Sequence, residues 1–110
     1  MDCIFCKIIA GEIPSRKVYE DDEMLAFHDI APRAPVHIIF IPKAHIASAA
    51  EITSENSPLM GRILAQMAIV ARELGLDGYR IVTNCGESGG QVVFHLHFHL
   101  VGGEKLPRFL

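Results

Sequence analysis

The sequence predicts an α+β domain, a five-stranded antiparallel sheet with one long and one short helix. Three observations predict it. Five short runs rich in apolar and β-branched residues are bounded by turn-forming residues at hairpin-like spacing. One long stretch, Pro58 to Leu74, repeats its apolar residues with helical periodicity. No strand–helix–strand alternation is present, which favours antiparallel pairing with the helices packed on one face. The 110 residues, half of them hydrophobic, suffice for one domain over 1–110 with one core.

Ile4 to Ile9 is short and apolar, stopped by Gly11 and Pro14, and predicts a helical turn. Val18 to Glu20 and Met24 to His28 read as a hairpin turning at Asp21-Asp22. The prolines of Asp29-Ile30-Ala31-Pro32-Arg33-Ala34-Pro35 forbid a regular element and predict a loop. Val36 to Ile41, closed by Pro42, predicts a buried strand with His37 near its start, followed by a polar segment carrying His45. Ser57 fits an N-cap, Pro58 the first helical position and Gly75 the C-terminal cap of the long helix. Leu59, Ile63, Met67, Val70 and Leu74 form its expected core stripe, with Gly61, Ala65 and Ala68 as a small-residue flank suited to close approach. Tyr79 to Cys85 and Val92 to Val101 predict the last two strands, joined by the glycine-rich Gly86 to Gly90.

The net charge of -3 and the lack of a Lys/Arg run argue against binding nucleic acid through its backbone, while a free nucleotide stays possible. The most apolar stretch carries Arg62, Gln66, Arg72 and Glu73, which excludes a membrane span, and the acidic start does not resemble a secretory leader. A cytoplasmic protein is expected. Three cysteines, two of them in Cys3-Ile4-Phe5-Cys6, argue against a disulfide framework.

The last strand carries His95-Leu96-His97-Phe98-His99. Successive side chains of a strand point to opposite faces, so the three histidines share one face, about 6 to 7 Å apart. Imidazole near its usual pKa of about 6.5 is mostly neutral at pH 7, and a neutral ring nitrogen can attack phosphorus. The attacking ring needs an acceptor on its other nitrogen, and flanking rings can donate to phosphoryl oxygens. The middle position, His97, suits the attacker. The loop at Gly86 to Gly90 could bring backbone N–H groups to the same phosphate.

Asn84, Gly89, Gln91, Val93 and His95-Leu96-His97-Phe98-His99-Leu100-Val101-Gly102 resemble the signature of the histidine triad superfamily. Ile4-Phe5-Cys6-Lys7-Ile8-Ile9, Ile13-Pro14, Glu20-Asp21-Asp22, Ala26-Phe27-His28-Asp29-Ile30, Ala34-Pro35-Val36-His37 and Ile41-Pro42-Lys43 extend the likeness to its Hint branch, across nearly the whole chain. The resemblance implies a histidine-triad fold, a homodimer with a ten-stranded sheet, and a purine nucleoside phosphoramidase acting on AMP or GMP joined through nitrogen to an amine. It implies His97 as nucleophile, His99 on the phosphate, His95 orienting the nucleophile partly through its carbonyl, and His37 in support. Asp29 would grip the ribose, Phe5, Ile8, Phe27 and Ile30 would wall the base, and Asn84, Gly90, Gln91 and Val92 would line the nucleotide site. No organic cofactor is implied.

Val92 departs from the pattern, which often has serine there to assist the leaving group; its backbone N–H remains. The tail after Gly103 is shorter than in relatives whose tails reach the partner subunit. Cys3 and Cys6 have zinc-ligand spacing but lack a second pair, and the residues alone equally allow two buried thiols on a short helix. Resemblance to zinc-bearing relatives implies one structural zinc per subunit on Cys3, Cys6, His45 and His95. Related readings are a dinucleoside polyphosphate hydrolase, a nucleotidyltransferase, or a nucleotide-binding interaction protein.

Overall fold

A computed structural model describes residues 3–108; Met1 and Asp2 of the acidic start and Phe109 and Leu110 of the short tail lie outside the described residues. The chain runs α1 (Ile4–Ile9), β1 (Lys17–Glu20), β2 (Met24–His28), β3 (Val36–Pro42), α2 (Ser57–Glu73), β4 (Tyr79–Val82) and β5 (Phe98–Gly102). The strands form one antiparallel sheet in the order β1-β2-β3-β5-β4.

The helices lie on opposite faces of the sheet, not on one as expected. Period-2 alternation explains this, because β2 and β3 are apolar on both sides and each side needs a cover. Ala26, Ile38, Phe40, Phe98 and Leu100 pack with α2 through Met60, Ile63, Met67 and Val70. Leu25, Phe27, Ile39 and Ile41 pack on the other face with Cys3, Phe5 and Ile8 of the α1 region. The triad shares this second face.

The buried stripe of α2 is Met60, Ile63, Met67, Val70 and Ala71. It is turned from the predicted one: Leu59 is only partly buried, and Leu74, the C-cap, is 47% exposed. The N-cap is Asn56 rather than Ser57, and its side chain serves the preceding turn by accepting from Thr53 N–H at 2.8 Å. Gly75 ends the helix with φ of 72°, a conformation that only glycine adopts readily.

The strand expected over Val92 to Val101 pairs only from Phe98. Extending the β3–β5 register past Phe40↔Phe98 would place Leu96 opposite Pro42, which has no N–H to donate. The Pro42 carbonyl goes instead to the His95 ring at 2.8 Å, and Leu96 N–H goes to the Ile46 carbonyl at 2.6 Å. Alternation of buried sides survives without the ladder. β4 is likewise shorter than expected, ending at Val82 rather than Cys85.

Candidate active site

Strand β5, the extended residues before it and the start of β3 bring His97, His99 and His37 onto the face that α1 covers. His97 is buried, with the edge of Phe5 against its ring at a centroid distance of 5.0 Å and an interplanar angle of 87°. Its Nδ1 lies 2.7 Å from the His95 carbonyl oxygen. A carbonyl only accepts, so the ring proton sits on Nδ1 and Nε2 keeps a bare lone pair. Burial lowers the His97 pKa, against the opposing pull of that carbonyl and of Asp29, and the ring is neutral at pH 7. Thr83 Oγ1 donates to the His97 carbonyl at 2.7 Å and fixes this backbone from the β4 side.

His99 stands beside His97 with ring centroids 5.0 Å apart. Its Nδ1 is 2.9 Å from His37 Nε2, which is also 3.4 Å from Asp29 Oδ2. The other ring nitrogen of His37 accepts from Arg33 N–H at 3.0 Å. Burial, then the nearby His97 and His37, pushes the His99 pKa down to about 4. Asp29 Oδ1 accepts from Ala31 N–H at 2.7 Å, leaving its other carboxylate oxygen facing His37.

The first triad histidine turns away. His95 is fully buried, and its Nε2 donates to Pro42 O, so its Nδ1 is bare. That nitrogen lies 3.4 Å from Cys3 Sγ, 3.6 Å from Cys6 Sγ and 3.2 Å from His45 Nδ1, and Cys6 Sγ is 3.4 Å from His45 Nδ1. A tetrahedral zinc with ordinary bond lengths sets S–N edges of about 3.6 Å and N–N edges of about 3.3 Å. The four measured edges match, so these four residues could hold a metal ion, and the second partner on His95 Nε2 is the kind that metal-bound histidines carry. Cys85 stands apart, exposed, near Ser48 Oγ.

The loop before the triad is held by its own amides. Gln91 accepts from Gly86 N–H at 2.9 Å and donates to the carbonyls of Ala47 and Val93 at 2.8 and 3.0 Å. Both of its N–H groups are thus used within the protein, so it shapes the loop rather than presenting a free amide. Asn84 donates to the Gly89 carbonyl at 3.0 Å across the same turn, and Gly90 has φ of 93°. The Val92 side chain is 86% exposed. Of the four expected base-wall residues, Phe5, Ile8 and Phe27 pack together, while Ile30 projects fully into solvent.

Thr83, the Arg33 amide and the Pro42 carbonyl carry no functional signal in the sequence. Two are backbone groups, which residue types do not reveal, and Thr83 reads as an ordinary strand residue. A groove of about 580 Å³ near Asp77, Arg80, Glu104 and Lys105 contains neither histidine nor cysteine and lacks the chemistry of this site.

The family model described as scavenger mRNA decapping enzyme C-term binding matches residues 2–108. An HIT-like protein of Synechococcus elongatus is 54% identical over 106 residues, covering 96% of this chain and 93% of its own. Protein HitA of Neisseria gonorrhoeae is 49% identical over 102 residues, covering 92% and 95%. The structure of a histidine triad protein from Clostridium difficile superposes with a TM-score of 0.95 at 49% identity, covering 100% of this chain and 97% of that one. A HIT family hydrolase from Legionella pneumophila gives 0.94 at 45% identity and 96% coverage of both chains. The chain belongs to the matched family and, with these relatives, to the histidine triad superfamily.

Proposed function

We propose that this protein is a nucleotide-binding hydrolase that cleaves purine nucleoside phosphoramidates, with His97 as the nucleophile. The observation that carries the reading is the bond from His97 Nδ1 to the His95 carbonyl, which leaves Nε2 bare beside a second imidazole. Nε2 attacks the α-phosphorus, the P–N bond breaks, and the amine leaves with a proton taken from water. The phosphorus is then held on His97 as a nucleotidyl-histidine, until the hydroxide left by that water forms a new P–O bond and the P–Nε2 bond breaks, returning His97 neutral with its proton on Nδ1. His99 donates to a phosphoryl oxygen as charge builds. Asp29 holds the ribose hydroxyls, Phe5, Ile8, Phe27 and Ile30 border the purine, and the Val92 N–H faces the phosphate, while Gly90, whose own N–H donates to the Glu87 carbonyl at 3.0 Å, lines the nucleotide site within the turn that Asn84 and Gln91 shape.

The Legionella neighbour is called a hydrolase, which supports the general reaction class. Val92 favours a second substrate class alongside the first: without a hydroxyl to protonate an amine, leaving groups that need no proton, as in dinucleoside polyphosphates, are disfavoured less. Zinc on Cys3, Cys6, His45 and His95 would tie α1 to the segment before β5 and supply structure, not chemistry. The active unit is a homodimer joined through edge strand β4, where Tyr79 and Ile81 are each 40% exposed, with the Gly61, Ala65 and Ala68 flank of α2 as a further part of the contact. Sedimentation showing only monomer at micromolar concentration would overturn the dimer.

The central test is steady-state turnover on a panel of AMP and GMP phosphoramidates and a dinucleoside polyphosphate, with intact-mass detection of the nucleotidylated chain. Amine release together with a transient nucleotidyl adduct is the expected result. Tight AMP binding with no turnover on any member would leave a binding protein instead.

A further inference from the structure

We propose that the Arg33 guanidinium is the cation that draws the nucleotide's phosphate into the triad site, so that Arg33 is a substrate-binding residue that selects nucleotides over neutral nucleosides. The inference deepens the nucleotide-hydrolase reading and rests on it for the identity of the ligand.

The triad site is poor in positive charge. Burial keeps His37, His97 and His99 neutral at pH 7. Neutral rings can donate or accept hydrogen bonds, but they offer no net charge to an anion. Two formal charges act on His99, those of Asp29 and Arg33, and the same two act on His37. Asp29 alone would give the site the nucleotide's own sign. The chain as a whole carries -3, so an approaching phosphate also meets repulsion at long range. Arg33 reverses this at the mouth of the site. Its charge acts on His99 and His37 rather than on His97, which puts it on the His99 side of the phosphate and away from the attacking nitrogen.

The loop fixes where this cation is rooted. Arg33 N–H donates to His37 Nδ1 at 3.0 Å, Asp29 N–H donates to the His37 carbonyl at 2.9 Å, and Ala31 N–H donates to Asp29 Oδ1 at 2.7 Å. Pro32 and Pro35 set the backbone on either side of Arg33-Ala34. Pro35 also lies against the end of β5, where a Cβ added to Gly103 would come within 3.1 Å of its ring.

The backbone of Arg33 is thus pinned beside His37 while its side chain is exposed and, among the described residues, makes no hydrogen bond or ion pair. Asp29 does not engage it, since the two carboxylate oxygens face Ala31 N–H and the His37 ring. Other arginines are committed: Arg62 grips Glu23 with two bonds of 2.7 Å, and Arg80 donates to the Pro107 carbonyl at 2.7 Å. Arg33 keeps its whole planar fork of donors for a phosphate.

Equilibrium binding of AMP and of adenosine to the full chain and to Arg33→Gln, Arg33→Lys and Arg33→Glu tests the proposal without requiring turnover. Each variant keeps the backbone N–H that meets His37. Arg33→Gln should raise the AMP Kd about threefold to tenfold and Arg33→Glu about tenfold or more, with a smaller loss in Arg33→Lys. The adenosine Kd should stay the same in all of them. In the unmodified chain the AMP Kd should rise between about 0.01 M and about 1 M salt, as the Debye length shrinks from about 30 Å to about 3 Å, and Arg33→Gln should respond less. On a phosphoramidate the loss should fall on KM with kcat nearly unchanged, because the phosphate is anionic before as well as during attack. An AMP Kd that ignores Arg33→Gln overturns the proposal and leaves the hydrolase reading untouched. So does equal weakening of AMP and adenosine, which would make Arg33 a prop of the loop. A chain that binds no AMP overturns both. Arg33-dependent AMP binding in a chain that turns over no phosphoramidate would sink the hydrolase reading and leave the role of Arg33 standing.

Discussion

The carbonyl oxygen of His95 sits 2.7 Å from Nδ1 of His97, while the ring of the same His95 points the other way, toward two thiols. One residue therefore serves two centres. Its backbone selects the tautomer of the proposed nucleophile, and its side chain joins the Cys3, Cys6 and His45 group. Because the orienting group is main chain, a change of the His95 side chain reaches His97 only by moving the backbone.

His97→Ala should lower kcat/KM on an adenosine phosphoramidate by about 10⁴-fold or more, as removal of a covalent nucleophile does. Intact-mass analysis should find the nucleotidyl adduct on the unmodified chain and none on the variant. A variant that retains full turnover, or an adduct that survives the substitution, would move the nucleophile elsewhere.

Acid should destabilise this protein through its buried imidazoles. The His99 pKa of about 4 lies below the ordinary value of 6.5, so the unfolded chain binds a proton that the folded chain resists. The stability linked to His99 is present in full above pH 6.5 and is lost as pH falls through 4. His37, His95 and His97 are displaced in the same direction by burial. Thermal melts from pH 7 to 4 should show Tm falling steadily, with a shallower fall in His99→Gln. The same lowered values predict that the acid limb of kcat/KM lies below that of an ordinary imidazole. An acid limb centred near 6.5 would contradict it.

Much of this arrangement was legible in the residues because it depends on side-chain type and period. The five strands, the long helix and the shared face of the triad follow from alternation and turn chemistry. What escaped depends on groups that every residue carries. The loss of strand pairing before Phe98 comes from the missing N–H of Pro42 meeting Leu96 in register, a pairing visible only once β3 and β5 are aligned. The turned stripe of α2 depends on which helix face meets the sheet, and Met60 and Leu59 differ by one position in an otherwise apolar stretch. Placing α1 opposite α2 required knowing that both faces of β2 and β3 need cover.

Metal removal should be read through Cys6 rather than Cys3. Cys3 Sγ also accepts Cys6 N–H at 3.4 Å as the cap of α1, so replacing it confounds a lost ligand with a lost cap. Burial, then contact with Cys3, raises the Cys6 thiol pKa, and a bound cation would have to displace that proton. Elemental analysis should give one zinc per chain, and Cys6→Ser should abolish it. At zinc a hundredfold above its Kd the bound ion contributes about 2.7 kcal/mol, so chelation should lower Tm by about 10 to 20 °C. A chain that purifies without zinc, and whose Tm changes neither with added zinc nor with chelator, would leave Cys3 and Cys6 as plain thiols.

Val92→Ser offers the sharpest reading of substrate range. The side chain is almost wholly exposed, so the exchange removes no core contact and leaves the backbone N–H in place. A serine hydroxyl there could pass a proton to a departing amine, which neither valine nor a neutral His97 can do. Turnover of phosphoramidates with strongly basic leaving amines should rise about tenfold or more, the lower part of the usual range for a placed proton donor. Substrates whose leaving group needs no proton should not respond, and AMP affinity should stay the same. Equal gains on both classes would show that the side chain acts by shaping the loop, and no gain on either would remove position 92 from leaving-group chemistry.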